Sequence, residues 1–178
     1  KTSGCPRVAL RVVLLAERGT RIVVIGNPGV GKSTLLNGLI GSIVFASGFS
    51  AGIGLTRVQN EHEQDGIWFV DGPGLADSSM QREAAKEVRK AFLAESRCKV
   101  LFVVALEAAT VRAQDLATIE LVLEALPIQF IESYGFGIVV NKAINLTAED
   151  YETLRKSCAL HVNGTRLEVE HINLKAVA

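Results

Sequence analysis

Nine residues in this sequence carry the clearest chemistry. Gly26 to Thr34 reads GNPGVGKST and fits G-x-x-x-x-G-K-[ST], with Gly26, Gly31, Lys32 and Ser33 in the fixed places. Glycines at Gly29 and Gly31 let the backbone of Asn27, Pro28, Gly29 and Val30 curl until successive N–H groups point at one anion. A helix opening at Ser33 and Thr34 adds its positive N-terminal end. A lysine at Lys32 suits β- and γ-phosphate charge, and the Ser33 hydroxyl suits Mg2+. The bland alternative is a glycine-rich β-to-α turn with an incidental lysine. The flanks argue against it: Arg21–Ile25 is a short β-branched strand pattern, and Leu35, Leu36, Leu39 and Ile40 follow at helical spacing. The loop reads as a nucleotide-binding site.

Two further places join it. Asp71 follows the strand-like Ile67–Val70 and suits Mg2+ held through water. Gly74, three residues on, offers a backbone N–H that can approach a γ-phosphate with no side chain in the way. Alone, the stretch Asp71-Gly-Pro-Gly74 would be a turn with an exposed acid; the loop at Gly26 makes the functional reading the better one. Thr56 closes a Gly/Ser-rich stretch and can give a hydroxyl to Mg2+ and an N–H to the γ-phosphate, against the plain reading of a surface threonine.

The elements that must position these residues alternate. Gly41 to Thr56 reads as a mobile functional loop. Arg57–Glu63 alternates weakly like an edge strand, and Asp65-Gly66 turns it back into Ile67–Val70. Ser78 and Gln81 open a helix striped by Ala84, Ala85, Val88, Ala91 and Phe92, with Arg82, Lys86, Arg89 and Lys90 on its solvated faces. Lys99–Leu106 is apolar throughout, hence a central strand. Asp115–Leu126 reads as a helix, Phe136–Val140 as a strand ending on Asn141-Lys142, and Thr147 with Asp150 as a capping box, with Leu146 stapled to Tyr151. Arg166–Ile172 alternates as a last strand. Arg112, Asp115 and Glu107 offer a partner contact but read better as a solvated loop. The pattern predicts an α/β, three-layer P-loop NTPase fold: a mostly parallel sheet with helices on both faces.

Composition narrows the class. At 178 residues the chain is one domain's length, read as an N-terminal extension at 1–20 and the nucleotide-binding domain at 21–178. Lys+Arg and Asp+Glu balance at 19 each, so no excess charge calls for nucleic acid. Cys5, Cys98 and Cys158 are odd in number and far apart, which fits a reducing, intracellular setting better than a disulfide framework. His62, His161 and His171 lack metal-ligand spacing. The apolar run Val8–Ala16, interrupted by Arg11, is too short to span a bilayer, and residues 1–20 read as a docking strand or helix.

Taken together, GNPGVGKSTLLN, a loop with Phe45, Ser47 and Ser50 leading to Leu55-Thr56, and Phe69-Val-Asp-Gly-Pro-Gly-Leu75 with Asp77 resemble the GTPases of the translation-factor-related class. Residues 20–142 carry the resemblance, which is nearest to the septin-like, immunity-associated group. It implies a G domain that binds GTP or GDP with Mg2+, hydrolyses GTP slowly and often pairs with a second copy across the nucleotide face. Thr56 would be its switch I threonine, Asp71 and Gly74 the ends of switch II, and Asn141 and Lys142 part of the base pocket. The sequence departs from the pattern in places. Ile144 stands where an aspartate would accept from guanine, and Leu75 where some relatives position water with glutamine. Gly29 replaces the asparagine of potassium-activated members, and no base-clamping Ser-Ala-Lys is legible near the end. A slow GTPase switch is therefore weighed against a non-hydrolysing, nucleotide-gated dimerisation module, and against a P-loop ATPase or kinase.

Overall fold

The computed structural model describes residues 16–46, 60–75, 97–107, 110–126, 136–142, 147–157, 160–162 and 165–167, with Arg82, Lys86 and Arg89 as helical positions between them. Thr56, the loop around it, the Val8–Ala16 run apart from Ala16, Ser78 with Gln81, Ile144 and the Leu146–Tyr151 staple lie outside what is described.

Strands β1 (Arg21–Gly26), β3 (Ile67–Gly74), β4 (Cys98–Glu107) and β6 (Phe136–Asn141) run parallel in the order β3-β1-β4-β6. The strand β2 (Asn60–Gln64) adds an antiparallel edge on β3 through the Asp65-Gly66 turn, where both residues take positive φ. A two-residue strand, β5 (Thr110–Val111), folds back on the end of β4.

The central strands are apolar runs because both of their faces are covered. Ile22 and Val24 of β1, with Leu101 and Val103 of β4, pack under α1 (Lys32–Ile40) with Leu35, Leu36 and Phe45. The alternate residues Val23, Ile25, Val100, Phe102 and Val104 pack on the other face with Ile119, Val122 and Leu123 of α2 (Ala113–Glu124) and Leu154 of α3 (Ala148–Ser157). Period-two alternation delivers each strand's side chains to two cores at once, giving three layers. A short antiparallel pair, β7 (Leu160–Val162) and β8 (Thr165–Leu167), lies beyond, with Leu160 and Val162 in the α2 core. The Thr147–Asp150 box forms as expected, Asp150 Oδ2 accepting from the Thr147 N–H and hydroxyl, both at 2.7 Å.

Two expectations need correction. The strand carrying Asp71 does not end before it: β3 continues to Gly74, pairing with Gly26 after a register shift between Val24 and Gly26. Pro73, which has no N–H to give the ladder, falls in that irregular stretch. Nor is Asp115 in a solvated loop. It is 2% exposed in the first turn of α2.

Candidate phosphate-binding site

The site sits at the C-terminal ends of β1 and β3, where the chain crosses from sheet to α1. Gly26 leaves the strand against its neighbour so closely that a Cβ there would meet the Val103 carbonyl oxygen at 2.3 Å. Gly29 and Gly31 hold φ of +77° and +95°, which side chains other than glycine adopt only with strain. Val30, between them, is wholly buried under α1 and anchors the loop. Pro28 is half-buried and Thr34 is exposed.

Helix α1 starts at Gly31 with no side-chain cap and no acid in its first turn. The charge that usually quiets a helix N-terminus is therefore absent, and an anion at that end is favoured. Lys32 is 6% exposed, and its Nζ donates to the carbonyls of Gly26 at 3.0 Å and Asn27 at 3.4 Å. Burial pushes the Lys32 ammonium below its ordinary range, an effect the carboxylates of Asp71 and Asp115 partly offset. A buried cation wrapped on loop carbonyls is suited to a multiply charged anion.

Ser33 Oγ donates to Asp71 Oδ2 at 2.6 Å, and Asp71 is 1% exposed. A hydroxyl and a carboxylate oxygen in contact beside a cationic loop form an all-oxygen donor pair of the kind that Mg2+ takes. The residues present therefore fit a magnesium–phosphate group.

The remaining predicted residues divide. Gly74 reaches the loop by pairing with Gly26, and the next N–H, of Leu75, donates to the Gly26 carbonyl at 3.4 Å. The Leu75 side chain is turned into the core, 1% exposed. Asn141 also comes to the loop: Nδ2 donates to the Val30 carbonyl at 2.8 Å and Oδ1 accepts the Lys142 N–H at 2.8 Å. Lys142 takes φ +59° and is exposed. Thr56 is outside the described residues.

Sequence reading missed the acid behind the loop. Asp115 Oδ1 accepts from Asn27 Nδ2 at 2.7 Å and from Arg112 Nη2 at 3.0 Å; Oδ2 accepts from Arg112 Nε at 3.0 Å and the Ala105 N–H at 3.1 Å. Thr118 adds a longer contact to Asn27. The one local signal was an acid in a helix's first turn; its partner, 88 residues away, leaves no trace in spacing.

Comparison with known proteins agrees with this geometry. The model of the 50S ribosome-binding GTPase family matches residues 21–142. The tRNA modification GTPase MnmE of Salinibacter ruber is 36% identical over 86 residues, 47% of this chain and 18% of that protein. Among solved structures, Toc33 of Arabidopsis thaliana in complex with Mg2+ and GMPPNP aligns at TM-score 0.54 and 22% identity, covering 88% of this chain and 65% of that one. Era in complex with MgGDPNP and a segment of 16S ribosomal RNA aligns at 0.51 and 23%, covering 88% and 50%. This chain thus spans less than two thirds of each of these relatives, and the structural likenesses speak to the fold, which is that of P-loop GTPases. The matched residues run from the first strand through the glycine loop, Asp71 and Gly74 to Asn141-Lys142, and on them the chain belongs to the 50S ribosome-binding GTPase family.

Proposed function

We propose that residues 21–178 form a G domain that binds GTP or GDP with Mg2+ and hydrolyses GTP slowly, as a nucleotide switch. One observation carries the reading: an uncapped helix end with Lys32 buried on the loop carbonyls and Ser33 in contact with Asp71. Lys32 and the loop N–H groups from Asn27 to Thr34 would hold the phosphates. Ser33 and Asp71, with Thr56, would hold the metal, whose contribution when bound is to neutralise charge between the β- and γ-phosphates. Gly74 would offer its N–H to the terminal phosphate, and Asn141 would shape the base pocket from behind while Lys142 covers it.

Slow turnover follows from Leu75. Its side chain lies in the core beside Val23 and Val70, so nothing at this position can orient a water. The same observation favours the second reading, a nucleotide-gated module that does not hydrolyse. Within the family we place the chain near the septin-like, immunity-associated group, on the phosphate loop, the Phe45–Thr56 stretch and Phe69–Leu75. Pairing of two copies across the nucleotide face is part of that reading, and it has a parallel in Toc33, for which dimerisation is described as important for GTPase activity. We place the protein inside the cell, on the odd number and wide spacing of Cys5, Cys98 and Cys158, of which Cys98 is a buried free thiol. No helix of the described residues is long and apolar enough to cross a membrane.

Equilibrium binding of a fluorescent GDP or GTP tests the core of this proposal. Lys32→Ala should weaken binding by about 100-fold, the upper end for hydrogen bonds to a charged group. Retention of parental affinity would sink the reading. A single-turnover assay then separates switch from module: phosphate release above background supports the former.

A further inference from the structure

The nucleotide site as read above uses Asn27 only as a backbone position, yet its side chain makes the most buried polar contact in the loop. The amide points away from the phosphate side, into a pocket closed by Asp115, Thr118 and the end of β4. Resting on the reading that this loop holds a nucleotide's phosphates, we infer that Asp115 is a positioning residue for the phosphate-binding loop, acting through the Asn27 side chain.

The geometry gives Asp115 few other uses. Its carboxylate is fixed before it reaches the loop, by a two-pronged contact from Arg112 at 3.0 Å on each oxygen and by the Ala105 N–H at 3.1 Å. Two prongs from a planar guanidinium set the plane of the carboxylate as well as its place. Ala105 belongs to β4, the central strand, and Arg112 is the N-cap residue of α2. The acid is therefore tied both to the central strand and to the start of its own helix. From that base, Oδ1 holds Asn27 Nδ2 at 2.7 Å. Asn27 is 5% exposed, and its own carbonyl lies at 3.4 Å from Lys32 Nζ. The order of contacts runs Arg112, Asp115, Asn27, Lys32.

Such a strut answers a problem of glycine loops. Gly29 and Gly31 supply the conformations that point N–H groups inward, but glycine has the most freedom to lose on ordering. A loop fixed in advance spares bound nucleotide that loss, and the gain shows chiefly in slower release. Val30 and Asn141 fix the second half of the loop. Asn27 and Asp115 fix the first.

Asp115→Asn is a sharp substitution here. The carboxylate accepts from donors at both oxygens, whereas an amide must turn its NH2 toward Asn27 or toward Ala105 and Arg112. It should speed release of fluorescent GDP and GTP by about tenfold alike, the scale of one hydrogen bond to a charged group. The preference for guanine over adenine should not move, because the base is held elsewhere. Asn27→Ala, which leaves the Arg112 and Ala105 contacts of Asp115 in place, should release nucleotide at about the same rate, and the double variant no faster than either. A merely structural role for Asp115 would not produce that coupling. If Asp115→Asn does not fold, Arg112→Gln takes its place in the cycle, with a smaller effect that again fails to multiply with Asn27→Ala. Parental release rates in Asn27→Ala, effects that multiply, or a changed base preference would each overturn the assignment. A parent chain that binds no nucleotide would instead remove the reading on which it rests.

Discussion

Lys32 sets the terms at the scale of single residues. An ammonium 6% exposed is held down by desolvation, and Asp71 and Asp115 recover only part of that. In the unfolded chain it titrates near 10.5, and in the folded chain lower. Between the two values the unfolded state holds the additional proton, so stability rises with pH through that window; below the folded value the full burial penalty is present. Lys32→Met should therefore stabilise the nucleotide-free protein at neutral pH while weakening nucleotide binding as Lys32→Ala does. Both carbonyls that Lys32 contacts keep another donor, Leu75 N for Gly26 and Val30 N for Asn27. Each kcal/mol recovered should raise the unfolding midpoint by about 2–4 °C in a domain of this size. Calorimetry at neutral and at alkaline pH checks it: the advantage of the variant should shrink as pH rises, and a variant less stable than the parent at neutral pH would refute this account.

Between elements, the loop is gripped from two sides, and glycine substitutions tell them apart. A Cβ on Gly31 would meet Asn141 Nδ2 at 2.3 Å, whereas one on Gly29 would meet nothing within 4 Å, and both positions have left-handed φ. Gly29→Ala should cost about 1–2 kcal/mol of backbone strain alone. Gly31→Ala should cost that and about 1 kcal/mol more, because the Asn141–Val30 hydrogen bond must break. Urea denaturation of the two variants measures the difference, and equal losses would show that Asn141 contributes nothing to the loop. This contrast also marks how far the sequence could be read. The glycine loop, the strands on either side and the Thr147–Asp150 box were legible because each is set by neighbours within a few residues. The course of β3 past Asp71 was not, because Gly74 is held in the sheet by Gly26 across the parallel pair. Asp115 was illegible for the same reason: an acid after Arg112 looks like a surface ion pair until the fold brings Asn27 against it.

For the whole molecule, the site lies where β1, β3, β4 and α2 converge, so bound nucleotide should stabilise the domain as a unit. Asn27 ties to α2, Gly26 to β3, and Val30 to the end of β6. A ligand at about 100 times its dissociation constant adds about 2.7 kcal/mol of stability when it binds only the folded state. In a domain of this size that amounts to a rise of about 5–10 °C in the unfolding midpoint. GTP with Mg2+ should give such a rise, and removing the metal with a chelator should cut it, because Ser33 and Asp71 then face the phosphates without a cation between them. The base is the open variable. The sequence has Ile144, with no acceptor in its side chain, where the family pattern has an aspartate; on the resemblance carried by the other motifs, ATP should still give a smaller shift than GTP at equal concentration. Equal shifts would mean that the phosphate grip is real but indifferent to the base, which would return the chain to a P-loop ATPase reading of its chemistry. No shift with either would mean that the buried lysine and the uncapped helix serve something other than a nucleotide.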